Sequence, residues 1–513
     1  MSRRAAGGGV GGSGVRKHAA LIFCFCALIC LSISFNLFHS HTLLFSSTET
    51  PPTVTDSAGK SEDERPPSSL KAWPPLPSFT PWSFDPNLTV GSCEAYFGHG
   101  FGHRVDFLAG GAGSNGAGGW FRCFYSDTLR SSVCEGGRIR MDPDRIRMSR
   151  GGEDLNSVIG RRDEEELPVY EEGAFVIEAE GEERRIVDEV DLDRFVPVGA
   201  VHHHTMRNLI GSIRSVPPEI LECSQWIDDP VLLVTRFEYA NLFHTVTDWY
   251  SSYVASRVTG LPARPRLIFL DGHCKAPIEE AWEALYSSVQ YAKGSGTLCL
   301  SHAILSPLGY ETALFKGLSE VINCHGAPAL DLLGSPDTAK TSRLTEFGEM
   351  LRASFGLPLK ENIPKLFSAP NILFIRREDY LAHPRHSGKV ESRLSNEQEV
   401  FDALKEWTST RAKCKVRLVN GLFAHMPFRE QVHAIQEASL IIGAHGAGLT
   451  HIIAAMPQTI ILELLSSLYR RPHFSLISQW RGLTYHVINL QGSHASPDEV
   501  MKKVSAILDS FQC

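Results

Sequence analysis

Short, unbroken apolar runs alternating with amphipathic stretches set the rhythm of this sequence from Val231 onward. Val231-Leu232-Leu233-Val234, Leu267–Asp271 and Cys299–Leu305 read as buried strands, with a helix predicted over Ile278–Val289. Within Phe237–Val254, FEYANLFHTVTDWYSSYV, the apolar residues Leu242, Val246, Trp249 and Tyr250 recur at helical spacing. A Gly, Pro and Ser loop around Pro328–Lys340 and a helix near Leu344–Phe355 then separate two stretches of similar beat. Beyond them, strands are predicted at Ile372–Ile375, Val416–Val419, Leu440–Ala444, Thr459–Leu464 and His486–Leu490, closing with a helix over Pro497–Ser510. Strands apolar on both faces suit parallel sheets covered by helices, so the pattern predicts an α/β chain with two doubly wound halves, 91–340 and 341–513. No internal repeat of solenoid length is visible.

The earlier part of the chain has a different pattern. Ala19–Phe38 is apolar for about the length that crosses a bilayer as a helix, and Arg3, Arg4, Arg16 and Lys17 precede it. An uncleaved signal anchor is expected, with residues 1–18 cytoplasmic and the remainder lumenal; the run is long for a cleaved signal peptide, and no small-residue cleavage site clearly follows. Residues 39–90 read as a stem, because Ser46–Pro86 is rich in Ser, Thr and Pro, holds WPP and TPW, and shows no period. Asn87-Leu88-Thr89 is a glycosylation sequon. The folded part is expected from Gly91. Ala109–Gly119 is a glycine-rich loop, Trp120–Tyr125 a core strand, and Arg161–Arg194 a charged, mostly solvated insert in which Ala174–Ala179 forms a short strand.

Composition sharpens this picture in two places. A chain of 513 residues can build cores without a disulfide scaffold, and its net charge of -8 speaks against a nucleic-acid partner. Cys24, Cys26 and Cys30 lie inside the apolar run, leaving Cys93, Cys123, Cys134, Cys223, Cys274, Cys299, Cys324, Cys414 and Cys513 on the lumenal side. Scattered cysteines in an oxidising compartment are most simply disulfides. Their number is odd, so at least one has no partner within the chain, and spacing does not reveal the pairing.

Candidate chemistry gathers at the ends of predicted strands. Ser439–His451, SLIIGAHGAGLTH, runs from a buried strand through a glycine turn into a predicted helix, Leu449–Met456. Gly443, Gly446 and Gly448 permit close approach, and a helix start offers unpaired N–H groups, which together fit a diphosphate. The turn is neither a P-loop nor the dinucleotide fingerprint, and tight strand-to-helix packing explains its glycines equally well. His445 sits at the strand's carboxyl end, where open α/β sheets place ligands. After Ile372–Ile375 come Arg376, Arg377, Arg385, His386, Lys389 and Arg393, cations of the kind that grip phosphate oxygens. His244 and Asp248, four apart on one helix face, can share a proton or orient each other, although an ordinary surface pair has the same spacing. His202-His203-His204 invites a metal, yet three consecutive residues cannot all aim at one ion from a regular element, so a polar turn is expected.

Four strings, RFEYANLFHTVTDWYSSYVASRVTGLP, SHAILSPLGYETALFKGL, FIRREDYLAHPRHSGKVESRL and IIGAHGAGLTH, resemble glycosyltransferase family 61 and within it the plant β-1,2-xylosyltransferases of complex N-glycans. The resemblance runs from the anchor to Cys513, with Gly91–Phe107, Trp120–Glu135 and Asp142–Gly152 also close. It implies a Golgi type II membrane enzyme of two-domain GT-B architecture, its Rossmann-like halves facing a cleft. Such an enzyme moves xylose, with inversion, from UDP-xylose to O2 of the core β-mannose of N-glycans. An inverting transfer needs a base at the acceptor hydroxyl and positive charge at the leaving diphosphate. The resemblance implies Asp248 as the leading base, with His244 as its neighbour or rival. It also implies Arg376 and Arg393 at the diphosphate, together with His445 and the turn Gly446, Ala447, Gly448, Leu449 and Thr450. Asp142-Pro143-Asp144 and Asp191-Leu192-Asp193 share the Asp-x-Asp spacing by which other sugar-nucleotide transferases hold a divalent ion. Neither follows a clear strand of a nucleotide domain, so both are read as turns or caps, and metal-independent transfer without a cofactor is expected. Within the family, transfer of N-acetylglucosamine or of pentoses to xylan is the alternative; outside it, a lumenal lectin without chemistry.

Overall fold

Strands form where the apolar runs predict them, and most faithfully in the second half. The computed structural model describes residues 70–82, 88–98, 100–110, 118–199, 201–217, 222–359, 369–377, 384, 393–410 and 415–511. Asn371–Arg376, Arg417–Leu422, Leu440–Ala444, Ile460–Ser466 and Thr484–Leu490 make a five-stranded sheet in which every neighbouring pair is parallel. By chain order the sheet reads second, first, third, fourth, fifth. Its direction of winding therefore reverses between the first and third strands, which opens a crevice at their carboxyl ends. Alternate side chains serve opposite faces: Ile372, Phe374, Leu440 and Ile442 pack with Val400, Leu404, Val504 and Leu508. Leu373, Ile375 and Ile441 pack the other way, with Val432, Ile452, Ile477 and Trp480.

The first half departs from a doubly wound sheet. Its seven-stranded sheet is mixed: Ala303–Leu305, Val231–Val234, Arg266–Phe269 and Ser288–Tyr291 run parallel, whereas His103–Leu108, Trp120–Ser126 and Ser131–Gly137 extend it antiparallel. The turn between Ser126 and Ser131 is too short for a parallel crossover, so a hairpin is forced. The run Cys299–Leu305 is two strands rather than one, because Leu298–Leu300 joins a separate six-stranded sheet. The helix expected over Ile278–Val289 shrinks to Glu280–Leu285 before Ser288–Tyr291 turns to strand.

Two expectations about solvated segments need adjustment. The short strand expected at Ala174–Ala179 forms as Phe175–Glu178, but it is buried along its length between Ile139–Met141 and Arg214–Val216, so Arg161–Arg194, exposed over much of the remainder, is tied into the body. Glu166, Leu192 and Phe195 are buried as well. Counting charges hid the apolar positions interleaved with them. The folded body also begins before Gly91. Trp73 donates its Nε1–H to the Leu261 carbonyl at 2.9 Å and lies under the Arg257 guanidinium at 3.8 Å. Ser78 donates through its N–H and Oγ–H to the buried Glu349 carboxylate at 2.8 and 2.7 Å, and Arg343 stacks on Trp82 at 4.1 Å. An extended segment shows no period, so its docking was invisible in the pattern.

Helix Leu242–Val258 holds the two halves together. It is buried over most of its length and reaches the segment Ala447–Ala454. One apolar cluster carries Trp249 from this helix, Phe347 from the helix Arg343–Ser354, and Ile452 and Trp480 from the second half. Disulfides join Cys93 to Cys324, Cys123 to Cys134 and Cys223 to Cys299, while Cys274 is a buried free thiol. The anchor Ala19–Phe38, Asn87, Arg385, His386, Lys389, Cys414 and Cys513 lie outside the described residues. Among those described, no helix is long and apolar enough to cross a membrane.

Candidate active site

Leu440–Ala444 is buried throughout and ends at His445, beside the first strand's tip. Two glycines of the turn are packing devices: a Cβ at Gly443 would stand 3.0 Å from Leu449 Cδ2, and one at Gly448 3.1 Å from Ile375 Cγ2. That packing draws the following segment tight, so Ala447–Ala454 is a 3₁₀ helix rather than the α-helix expected from Leu449. Gly446 differs. A Cβ there would meet the Arg377 guanidinium at 2.5 Å, so the missing side chain is what lets Arg377 lie over the turn. Gly446, Ala447 and Gly448 are partly exposed, whereas Leu449 and Thr450 are buried. The part of the turn open to a ligand therefore narrows to its first three residues.

His445 is held by the neighbouring strand. Its Nδ1 is 2.6 Å from Glu463 Oε1, and Glu463 Oε2 accepts a hydrogen bond from the Tyr485 hydroxyl at 2.5 Å. Glu463 is buried and pairs in register with Gly443. A carboxylate in the middle of the apolar run Ile460–Leu465 was a visible signal of this role. Arg376 is the last residue of its strand and Arg377 the first beyond it, and their side chains have different neighbours. Arg376 donates to Gln398 Oε1 at 2.7 Å and lies over Phe401 at 5.1 Å, facing the helix Glu397–Thr410. Arg393 stacks on Tyr469 at 3.7 Å, in the loop after Ile460–Ser466. Beside the predicted pair stands a third arginine, Arg377, which is the one a Cβ at Gly446 would meet.

Across the crevice stands the start of helix Leu242–Val258, capped by the Asn241 side chain accepting from the Phe243 N–H. His244 lies 3.6 Å from Glu238 Oε2, among the rings of Phe243, Tyr310 and Phe315. Burial lowers its pKa, opposed in part by Glu238. Asp248 is one turn deeper and only 5% exposed, roofed by Gly309, where a Cβ would stand 2.3 Å from its Oδ1. Burial, and then the charge of Asp271, hold its pKa well above the usual carboxylate range despite Arg236 and the Gly309 N–H. Asp248 Oδ2 and His244 Nδ1 have no hydrogen-bond partner among the described residues. His473 closes the gap between the two sides: its ring is 4.8 Å from Phe243 and 5.8 Å from His445. No local motif marks His473 in the sequence, because its neighbours come from both halves.

Other candidates have structural duties. His204 caps helix Thr205–Ser212 by accepting from the Arg207 N–H at 3.2 Å and faces Glu311, while His202 and His203 are exposed. Asp142 caps the short helix Pro143–Arg145, and Asp193 pairs with Arg207 at 2.7 Å. His451 is buried, with its ring nitrogens 2.8 Å from the Gly448 carbonyl and from Gln431 Oε1.

The glycosyltransferase 61 family model matches residues 195–462, a span that contains His244, Asp248, the arginines and the glycine turn. A β-1,2-xylosyltransferase of Oryza sativa subsp. japonica is 60% identical over 456 residues, 87% of this chain and 84% of that protein. A β-1,2-xylosyltransferase of Arabidopsis thaliana is 53% identical over 478 residues, 86% of this chain and 90% of that protein. An EGF domain-specific O-linked N-acetylglucosamine transferase of Gallus gallus is 21% identical over 272 residues, 52% of this chain and 45% of that protein. With the winding reversal at the strand tips beside His445, and on these similarities, the chain is a glycosyltransferase. It belongs to the glycosyltransferase 61 family.

Proposed function

We propose that this chain transfers xylose from UDP-xylose to the core β-mannose of N-glycans in a β-1,2 linkage, with inversion. The observation that carries the proposal is the 60% identity, over 87% of this chain, to the Oryza sativa protein named a β-1,2-xylosyltransferase. The acceptor and the inversion come from the string resemblance. We take the five-stranded sheet as the nucleotide-sugar half and residues 91–340 as the acceptor half of a GT-B arrangement; the winding reversal at Arg376 and Ala444 supports this.

In the reaction, the acceptor O2 attacks the sugar carbon as the bond from that carbon to the diphosphate breaks, and UDP leaves. The O2 proton goes to a base on helix Leu242–Val258. Asp248 is the leading choice, because a raised pKa makes its carboxylate the stronger proton acceptor. His244, nearer the crevice, is the rival. Charge developing on UDP is met by Arg377, His445 and the backbone N–H groups of Gly446–Gly448, with Arg393 beside them. Glu463 keeps the His445 ring in place. Metal independence is part of the proposal, since these groups supply the positive charge. A Golgi, single-pass type II location fits the apolar run Ala19–Phe38 with its basic flank and the three disulfides, which form in oxidising compartments.

The test is mass spectrometry of an N-glycan acceptor incubated with purified full chain and UDP-xylose in EDTA. A pentose-sized gain is expected. Gain only after manganese is restored would remove the metal-independent part. No gain with UDP-xylose but gain with UDP-N-acetylglucosamine would move the chain to another activity of its family.

A further inference from the structure

His473 opens the helix His473–Arg481, directly after the exposed loop that follows Ile460–Ser466. Its ring contacts Phe243 edge-on at 4.8 Å, on the acceptor-side helix, and His445 at 5.8 Å, on the strand tip of the other half. It touches both the start of helix Leu242–Val258 and the strand tip that carries His445. Its Nδ1 is buried and has no hydrogen-bond partner among the described residues. Such an atom is left for a ligand's hydrogen bond to satisfy.

The chemistry of that ligand follows from charge. Burial first, then His445, Arg471 and His244, lower the His473 pKa to about 4, so the ring is neutral at physiological pH. A neutral imidazole both donates and accepts, as a hydroxyl does; phosphate oxygens only accept and are better matched by arginine. Phe243, Tyr310 and Phe315 stand close by in mutual ring contact, offering an apolar wall to the C–H face of a pyranose.

We infer that His473 hydrogen-bonds a ring hydroxyl of the donor sugar, between the diphosphate and the base, and so positions the sugar carbon for attack. This inference deepens the xylosyl-transfer reading and rests on it.

Initial-rate kinetics of the full chain, alongside calorimetric binding of UDP, test it. His473→Phe keeps a ring against Phe243 but loses both nitrogens. It is expected to raise KM for UDP-xylose by about tenfold, the worth of one neutral hydrogen bond, and to lower kcat, with the Kd of UDP changed less than about twofold. His473→Gln is expected to recover part of the loss, and it decides the matter if the Phe variant fails to fold. Wild-type KM and kcat in the variants would overturn the inference. So would an equal loss of UDP and UDP-xylose binding, which would put His473 at the phosphates or in general packing. If the wild type turns over no UDP-xylose, the underlying reading fails instead, and the variants are not needed to see it.

Discussion

Beyond Val231–Val234 and Arg266–Phe269, Arg236 is enclosed: Asp271 lies at 2.8 Å and Glu279 at 3.4 Å, and the Phe269 ring lies 3.7 Å beneath the guanidinium. Beyond Asn371–Arg376 and Leu440–Ala444, Arg377 lies over a partly exposed glycine turn. Both places are carboxyl ends of parallel strands in one compact unit. The first is filled by the protein's own carboxylates, with His273 adding bonds to Glu166 at 2.9 Å and to the Arg236 carbonyl at 2.8 Å. The second leaves room above the turn. A buried cation must be matched internally, because desolvating it unpaired is prohibitive, whereas a partly exposed cation beside backbone N–H groups can also meet an anionic ligand.

If that contrast is right, substitutions at the two edges have opposite signatures. Arg236→Met leaves Asp271 buried without its main partner and is expected to lower stability by about 3–5 kcal/mol, read by denaturant unfolding, with the Kd of UDP for folded protein unchanged. A large loss of UDP affinity without loss of stability would break the comparison. Asp248→Asn separates chemistry from stability between the edges. It is expected to cut kcat by about 10²–10⁴-fold. A carboxyl whose folded pKa is raised above its usual 3.8 stabilises the fold fully below that value and loses the contribution as pH rises through the folded pKa. The Asn variant, lacking that ionisation, should therefore outlast the wild type in thermal unfolding at neutral pH. Lower stability of the variant there would sink the account.

Arg377→Ala is the mirror of the Arg236 change. The expected outcome is a UDP Kd weakened by about 10–100-fold with a smaller loss of stability than Arg236→Met causes, since charge-assisted bonds to phosphate are worth about 1.5–3 kcal/mol. An equal effect from Arg376→Ala would show that the strand tip, rather than the position over the glycine, is what counts. Glu463→Gln is the mildest test: kcat/KM should fall about fivefold through a less firmly held His445, with Tyr485→Phe giving a smaller loss in the same direction. No change in either variant would take Glu463 out of the site.

The strands of the second half were legible to within three residues at their ends, Leu440–Ala444 without error, because an unbroken apolar run buried on both faces has few other uses. The glycine turn and the arginine cluster were legible as types. Which arginine reaches the turn was not, since Arg376 and Arg377 are adjacent and only the folded chain puts one of them beside Gly446. Trp73 and Trp82 gave no sign of docking, and the charges of Arg161–Arg194 hid how deeply Phe175–Glu178, itself legible as a short strand, is buried. In both, local composition was read where long-range partners decided.

By itself the sequence determined the α/β class, the beat of the second half, the places where chemistry gathers and the family, since these rest on local pattern and on long shared strings. The tertiary structure alone decided that the first half is a mixed sheet and that Arg236 is spent inside while Arg377 faces the turn. It alone brought the His473 ring to 4.8 Å from Phe243 and 5.8 Å from His445. Such facts depend on contacts between residues far apart in the chain, and no window of sequence contains both partners.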